Sequence, residues 1–154
     1  MNSLDTNLLI YAVNTACTEH EKARKVYEML LQNPPDWIVS DQVLFEFYRG
    51  LRSPKILERP LSHQEAMEQI VFLREQSGAL HCAYEVSFWK LVKQEVGPSD
   101  PKAVHIFDKV LAVTLLQNGV KQFYTRNIKD FSGFAFEKLI NPIDEPPVDS
   151  DKHK

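Results

Sequence analysis

Three acids in this chain occupy positions where an acid needs a reason. Asp5 follows a short strand-like run and precedes a helix-like one in M-N-S-L-D-T-N-L-L-I-Y-A. Its carboxylate therefore falls where a strand hands over to a helix, the rim at which open α/β sheets hold ligands. Glu46 lies on a narrow polar stripe of Gln42, Glu46, Arg49 and Ser53, in a segment otherwise apolar through Val43, Leu44, Phe45, Phe47 and Tyr48. Asp108 interrupts the most apolar segment, which carries Val104, Ile106, Phe107, Val110, Leu111, Ala112, Val113, Leu115 and Leu116.

Each acid also has an ordinary role open to it. Asp5 can cap a helix, Glu46 can pair with Arg49, and Asp108 can face water beside Lys109. If the three converge, carboxylates about 4 Å apart repel by roughly 1 to 4 kcal/mol per pair, so the cluster calls for a cation. Oxygen-only ligands select a hard divalent ion, magnesium or manganese, partly hydrated and open to a phosphate oxygen. Asn127 and Asp130, in Y-T-R-N-I-K-D-F after a further strand-like run, are possible additional ligands, directly or through water; N-x-x-D also serves as plain turn chemistry.

The elements that must position these residues can be read from periodicity. Strand-like runs open the chain and recur at 37–39, 79–83, 120–125 and 134–140; helical spacing appears after Asp5 and over 19–32, 41–51, 63–76, 85–96 and 101–118, with a loop at 126–131. Ser40 and Ser62 are natural N-caps, and Ser62 with Glu65 forms a capping box. Gly50, Gly78 and Asn118-Gly119 close helices. Strands alternating with helices predict an α/β fold in which a parallel sheet is covered on both faces. Trp37, Trp89 and Phe72 sit at buried-face spacing and are expected in the core.

With 154 residues, 44% hydrophobic and 25% charged, the chain is the size of one soluble domain. We expect that domain over 1–142 and a disordered tail over 143–154, where prolines and charges gather. A net charge of −3 argues against a broad surface that grips phosphates. A small basic patch is compatible with it, and Arg49, Arg52, Lys55 and Arg59 are candidates for phosphate contacts, a solvated helix end being the alternative. Cys17 and Cys82 form no C-x-x-C pair, the five histidines lack zinc-enzyme spacing, and no G-x-S-x-G elbow is present. No signal peptide or membrane-spanning run is visible, so a cytoplasmic protein with reduced thiols and no membrane partner is expected.

Four motifs, L-D-T-N-L-L-I-Y, V-L-F-E-F-Y-R-G-L, F-D-K-V-L-A-V-T-L-L-Q-N-G and Y-T-R-N-I-K-D-F, resemble in order and spacing the PIN-domain ribonucleases, and among them the VapC toxins of toxin-antitoxin modules. The resemblance runs from Met1 to about Pro142. It implies a three-layer sandwich with a central parallel five-stranded sheet and helices on both faces. It further implies an acidic pocket that binds Mg2+, with Mn2+ possible, and hydrolyses RNA phosphodiester bonds. Asp5, Glu46 and Asp108 take the family's three most regular acidic places. Many members carry a fourth acid where this chain has Asn127, and the nearest acid is Asp130. A cognate antitoxin and a homodimer are implied as partners. Two rival readings are a non-catalytic PIN-like module that binds RNA or a partner peptide, and a phosphatase with Asp5 as nucleophile.

Overall fold

A computed structural model describes residues 1–96 and 105–144. The chain runs β1 (Asn2–Leu4), α1 (Thr6–Val13), α2 (His20–Gln32), β2 (Ile38–Val39), α3 (Asp41–Leu51), α4 (His63–Val71), β3 (Leu80–His81), α5 (Phe88–Val96), α6 (Ile106–Gln117), β4 (Gln122–Tyr124), α7 (Ile128–Phe131) and β5 (Lys138–Ile140). A 3-10 turn at Pro34–Asp36 precedes β2, and a π-helical turn at Phe72–Gln76 extends α4.

All strand pairings are parallel. β4 lies between β1 and β5, and β2 pairs with β3. One parallel bridge, Asn2 to Trp37, joins the two groups, giving the order β3-β2-β1-β4-β5. The expected five-stranded sheet is thus two ladders, of three and two strands, sharing one bridge.

Connections between parallel strands are right-handed. The chain first steps outward from β1 to β2 to β3, then returns past β1 to β4 and β5, so α1–α4 fall on one face and α5–α7 on the other. The packing agrees, with α1 against α2 and α3, α3 against α4, α5 against α6, and α6 against α7. The direction reverses between β1 and β4, which makes their C-terminal ends the switch point where such sheets open a crevice.

Local sequence explains the helices. Ala23, Val26 and Leu30 of α2 are buried at spacings of three and four. Ser40 Oγ accepts from Val43 N at 3.3 Å, and the Ser62–Glu65 capping box is closed in both directions. Gly119, at φ +78°, follows α6 in the left-handed region. At Gly50 a side chain is excluded rather than a conformation required, because a Cβ there would collide with Ile10 Cδ1. The missing side chain lets α3 lie close against α1, beyond the helix-ending role its type suggested.

Some expected elements change. Residues 126–131 contain α7, planted by Phe131, whose ring meets Phe123 of β4 edge-on at 4.9 Å between centroids. The strand expected over 134–140 is reduced to Lys138–Ile140. The start of the helix expected over 101–118 lies outside the described residues, as does the tail from residue 145. Ile143 is buried and its carbonyl accepts from Lys22. Trp37 is core, whereas Trp89 is 68% exposed, because α5 packs on α6 through Phe88 and Val92 and the next position turns outward. No described helix is long and apolar enough to cross a membrane.

Candidate active site

Asp5 ends β1 and begins α1. Its backbone N–H donates to Tyr124 O at 2.9 Å, carrying the β1–β4 pairing one residue past the strands. The carboxylate then caps α1, Oδ1 accepting from Thr6 N at 2.7 Å. Oδ2 accepts from the Thr125 hydroxyl at 2.7 Å and from Asn7 Nδ2 at 2.9 Å. Capping and a place at the switch point are therefore one arrangement, not alternatives.

Asp5 is only 8% exposed. Burial pushes its carboxyl up to about 6, the Thr125 and Thr6 hydrogen bonds oppose the rise, and the charges of Glu46 and Asp108 add to it. Thr125 is completely buried, and its oxygen accepts from Asn127 N at 3.0 Å. One hydroxyl thus links the loop after β4 to the acid after β1.

Glu46 projects from the middle of α3. Its Oε2 accepts from the Thr6 hydroxyl at 3.2 Å and its Oε1 from Gln42 Nε2 at 3.3 Å. Both partners are neutral, so they orient the carboxylate without cancelling its charge. Gln42 Nε2 also reaches Phe107 O at 3.0 Å, tying α3 to the start of α6.

Asp108 is half-buried in the first turn of α6. Burial raises its pKa most, Asp130 and Glu46 raise it further, and His105 opposes. Asp108 and Asp130 line one small cleft with His105, Lys109 and Lys129. Asn127 lines a neighbouring hollow with Arg126 and Asn141, and Asp130 borders both.

Asp5 thus feels the charges of Glu46 and Asp108, and Asp108 those of Asp130 and Glu46, and any of the four could offer oxygen to a cation. Among the described residues no three His, Cys, Asp or Glu side chains are already gathered as a metal cage. Mutual repulsion keeps unneutralised carboxylates apart. The donor set is all oxygen, which suits a hard divalent ion. Asn7 Oδ1, in the residue whose amide holds Asp5, is buried without a hydrogen-bond partner.

The basic candidates disperse. Arg49 is exposed about one turn beyond Glu46, while Arg52 is drawn onto Tyr48, its Nη1 donating to the phenol oxygen at 3.0 Å. Lys55 is exposed in the loop after α3. Arg59 lines a hollow with Val13 and Leu51 at the far end of α1, about 12 Å of helix from Asp5. The cations beside the acids are instead Lys109 and Lys129, adjacent in sequence to Asp108 and Asp130. Thr125 was likewise missed, because only the pairing of β1 with β4 brings it to Asp5.

Comparison with known proteins bears on the family and the fold. The family model for the PIN domain matches residues 3–136. The chain belongs to the PIN-domain family. Within it, ribonuclease VapC24 of Mycobacterium tuberculosis is 36% identical over 148 residues, covering 93% of this chain and 97% of that protein. The crystal structure of Mycobacterium tuberculosis VapC20, a Sarcin-Ricin loop cleaving toxin, superposes with a TM-score of 0.63 at 14% identity, over 87% of this chain and 96% of that one. A chain from a toxin-antitoxin complex of Klebsiella pneumoniae gives 0.61 at 18% identity, over 92% and 98%. At such identities these two structures speak for the fold.

Proposed function

We propose that this protein is a magnesium-dependent endoribonuclease and the toxin of a toxin-antitoxin pair. The observation that carries the reading is the Asp5 carboxylate, buried at the switch point, held by three donors and facing the charges of Glu46 and Asp108. Burial and two neighbouring negative charges raise the cost of ionising this group, and a cation beside it would lower that cost.

In this reading Asp5 and Asp108 hold the ion and Glu46 either binds it or orients the attacking water. Bound magnesium would polarise the phosphoryl group, acidify the attacking water and steady the leaving oxygen. Thr125 and Asn7 keep Asp5 turned toward the crevice. Asp130, which faces Asp108, is better placed than Asn127 to complete the pocket. Arg49 and Lys129 offer positive charge to the phosphates on either side.

The VapC relatives support the ribonuclease reading, and the toxin-antitoxin complex among the structural neighbours supports an antitoxin partner. Pairing with a second copy of the chain, and a cytoplasmic setting, belong to the same proposal. The test is incubation of the purified protein with RNA in magnesium, with and without chelator. Cleavage that chelator stops and Asp5→Asn abolishes is expected. RNA that is bound but stays intact in magnesium would favour a non-catalytic module.

A further inference from the structure

Two large aromatic rings stand out in water beside the acids. Phe45 is 73% exposed and Phe107 is 60% exposed, although each belongs to a helix whose other apolar residues are largely buried. Phe45 adjoins Glu46 and Phe107 adjoins Asp108, so each of these two acids has an exposed ring next to it in the chain. The two helices are tied where the rings emerge, since Gln42 Nε2 bonds both the Phe107 carbonyl, at 3.0 Å, and the Glu46 carboxylate, at 3.3 Å.

We propose that Phe45 and Phe107 are stacking platforms for the nucleobases flanking the phosphate that enters the acidic cleft. The inference rests on the ribonuclease reading and names the side chains that hold the bases there. Every base presents a π-face, so exposed aromatic side chains hold single strands with little regard for sequence. Duplex bases are stacked on one another and offer no free face.

A protein partner fits these rings less well. One turn away from Phe45 on α3 are Asp41, Gln42, Tyr48 and Arg49, so the ring stands among polar and charged side chains rather than in an apolar strip. A stable protein interface needs about 800 Å² per partner with a desolvated centre. Two exposed rings, on helices that each carry one of the acids and that Gln42 ties together, suit a ligand that alternates flat apolar faces with anionic links neutralised by a cation.

The test uses the full chain and a 12-nucleotide single-stranded RNA carrying one 2-aminopurine, with the fully paired duplex of the same sequence alongside. Binding is read from fluorescence in calcium, a hard cation that takes oxygen ligands, and cleavage separately in magnesium. Expected are quenching of the 2-aminopurine by the wild type, a preference for the single strand, and a weakening of single-strand affinity by about 10-fold in Phe45→Leu and in Phe107→Leu. Phe→Tyr at either site is expected to restore binding. Trp89→Leu serves as the control, since Trp89 is equally exposed but lies toward the other end of α6, where Gln117 meets Ser87. Leu variants with unchanged affinity and quenching, or equal affinity for duplex and single strand, overturn the stacking proposal. So does a change in oligomeric state with RNA affinity intact, which would assign the rings to a second copy. Stacking without cleavage by the wild type leaves this proposal standing and removes the nuclease reading instead.

Discussion

Asp5 is a carboxylate whose proton the fold holds tightly. It titrates at about 6 in the native protein against an ordinary 3.8. A raised native pKa means that the protonated group contributes stability in full below about pH 4, and that this contribution is lost as pH rises through about 6. The displacement corresponds to about 3 kcal/mol. In metal-free buffer the wild type should therefore lose about 3 kcal/mol relative to Asp5→Asn between about pH 4 and pH 7, measured by urea unfolding. Parallel pH profiles for the two proteins would show that burial does not perturb this group.

Thr125 acts on the same carboxylate from across the sheet. A hydrogen bond to a charged group contributes about 1.5–3 kcal/mol. Thr125→Val should raise the pH at which RNA cleavage reaches half its maximum by about one unit or more, while Thr125→Ser leaves it near the wild-type value. An unmoved pH–rate profile in Thr125→Val would mean that the hydroxyl only fills space. Asp5, Glu46 and Asp108 are conspicuous in the sequence because each interrupts an apolar pattern. Thr125 is not, since its meaning comes from which strand lies beside which, and periodicity does not carry that.

At the scale of elements, the long periodic helices were legible and the short pieces were not. Val26 and Leu30 announce α2, and Ser62 with Glu65 announces the start of α4. Four-residue α7 leaves too little pattern to read, and its position comes from Phe131 meeting Phe123 across the chain. Trp89 and Phe107 show the converse failure, as apolar type at helical spacing does not say which side of a helix finds a partner. Gly50 lies in the last turn of α3, as its type suggests, and is also where α3 meets α1, which its type does not say. Gly50→Ala should cost about 1 kcal/mol or more through its collision with Ile10, even after the gain in helix propensity. In an Ile10→Val background, where Cδ1 is gone, the same substitution should become neutral or stabilising in thermal unfolding. Equal effects in the two backgrounds would place the close approach elsewhere.

For the whole molecule, the parallel α/β architecture follows from strand–helix alternation and right-handed crossovers, so it could be foreseen. Its electrostatics are less direct. A chain with net charge −3 holds an anionic polymer through few contacts, and Arg59, about 12 Å of helix from Asp5, is poorly placed to be one. If Arg49 and Lys129 carry the phosphate contacts, log KM for single-stranded RNA should rise with log salt at a slope of about 1.5. A slope of about 4 or steeper, from cleavage rates at several KCl concentrations, would require a basic surface not identified among the described residues.

The proposed activity stands on the acids at the β1–β4 switch point sharing a divalent cation. Thermal unfolding with added magnesium, at a pH above 7 where Asp5 is ionised, reads it without any RNA. The wild type should be stabilised by about 2.7 kcal/mol once magnesium reaches a hundredfold its dissociation constant, and Asp5→Asn and Asp108→Asn should show almost no such gain. Stabilisation of equal size in all three proteins, or none in the wild type, would contradict the account.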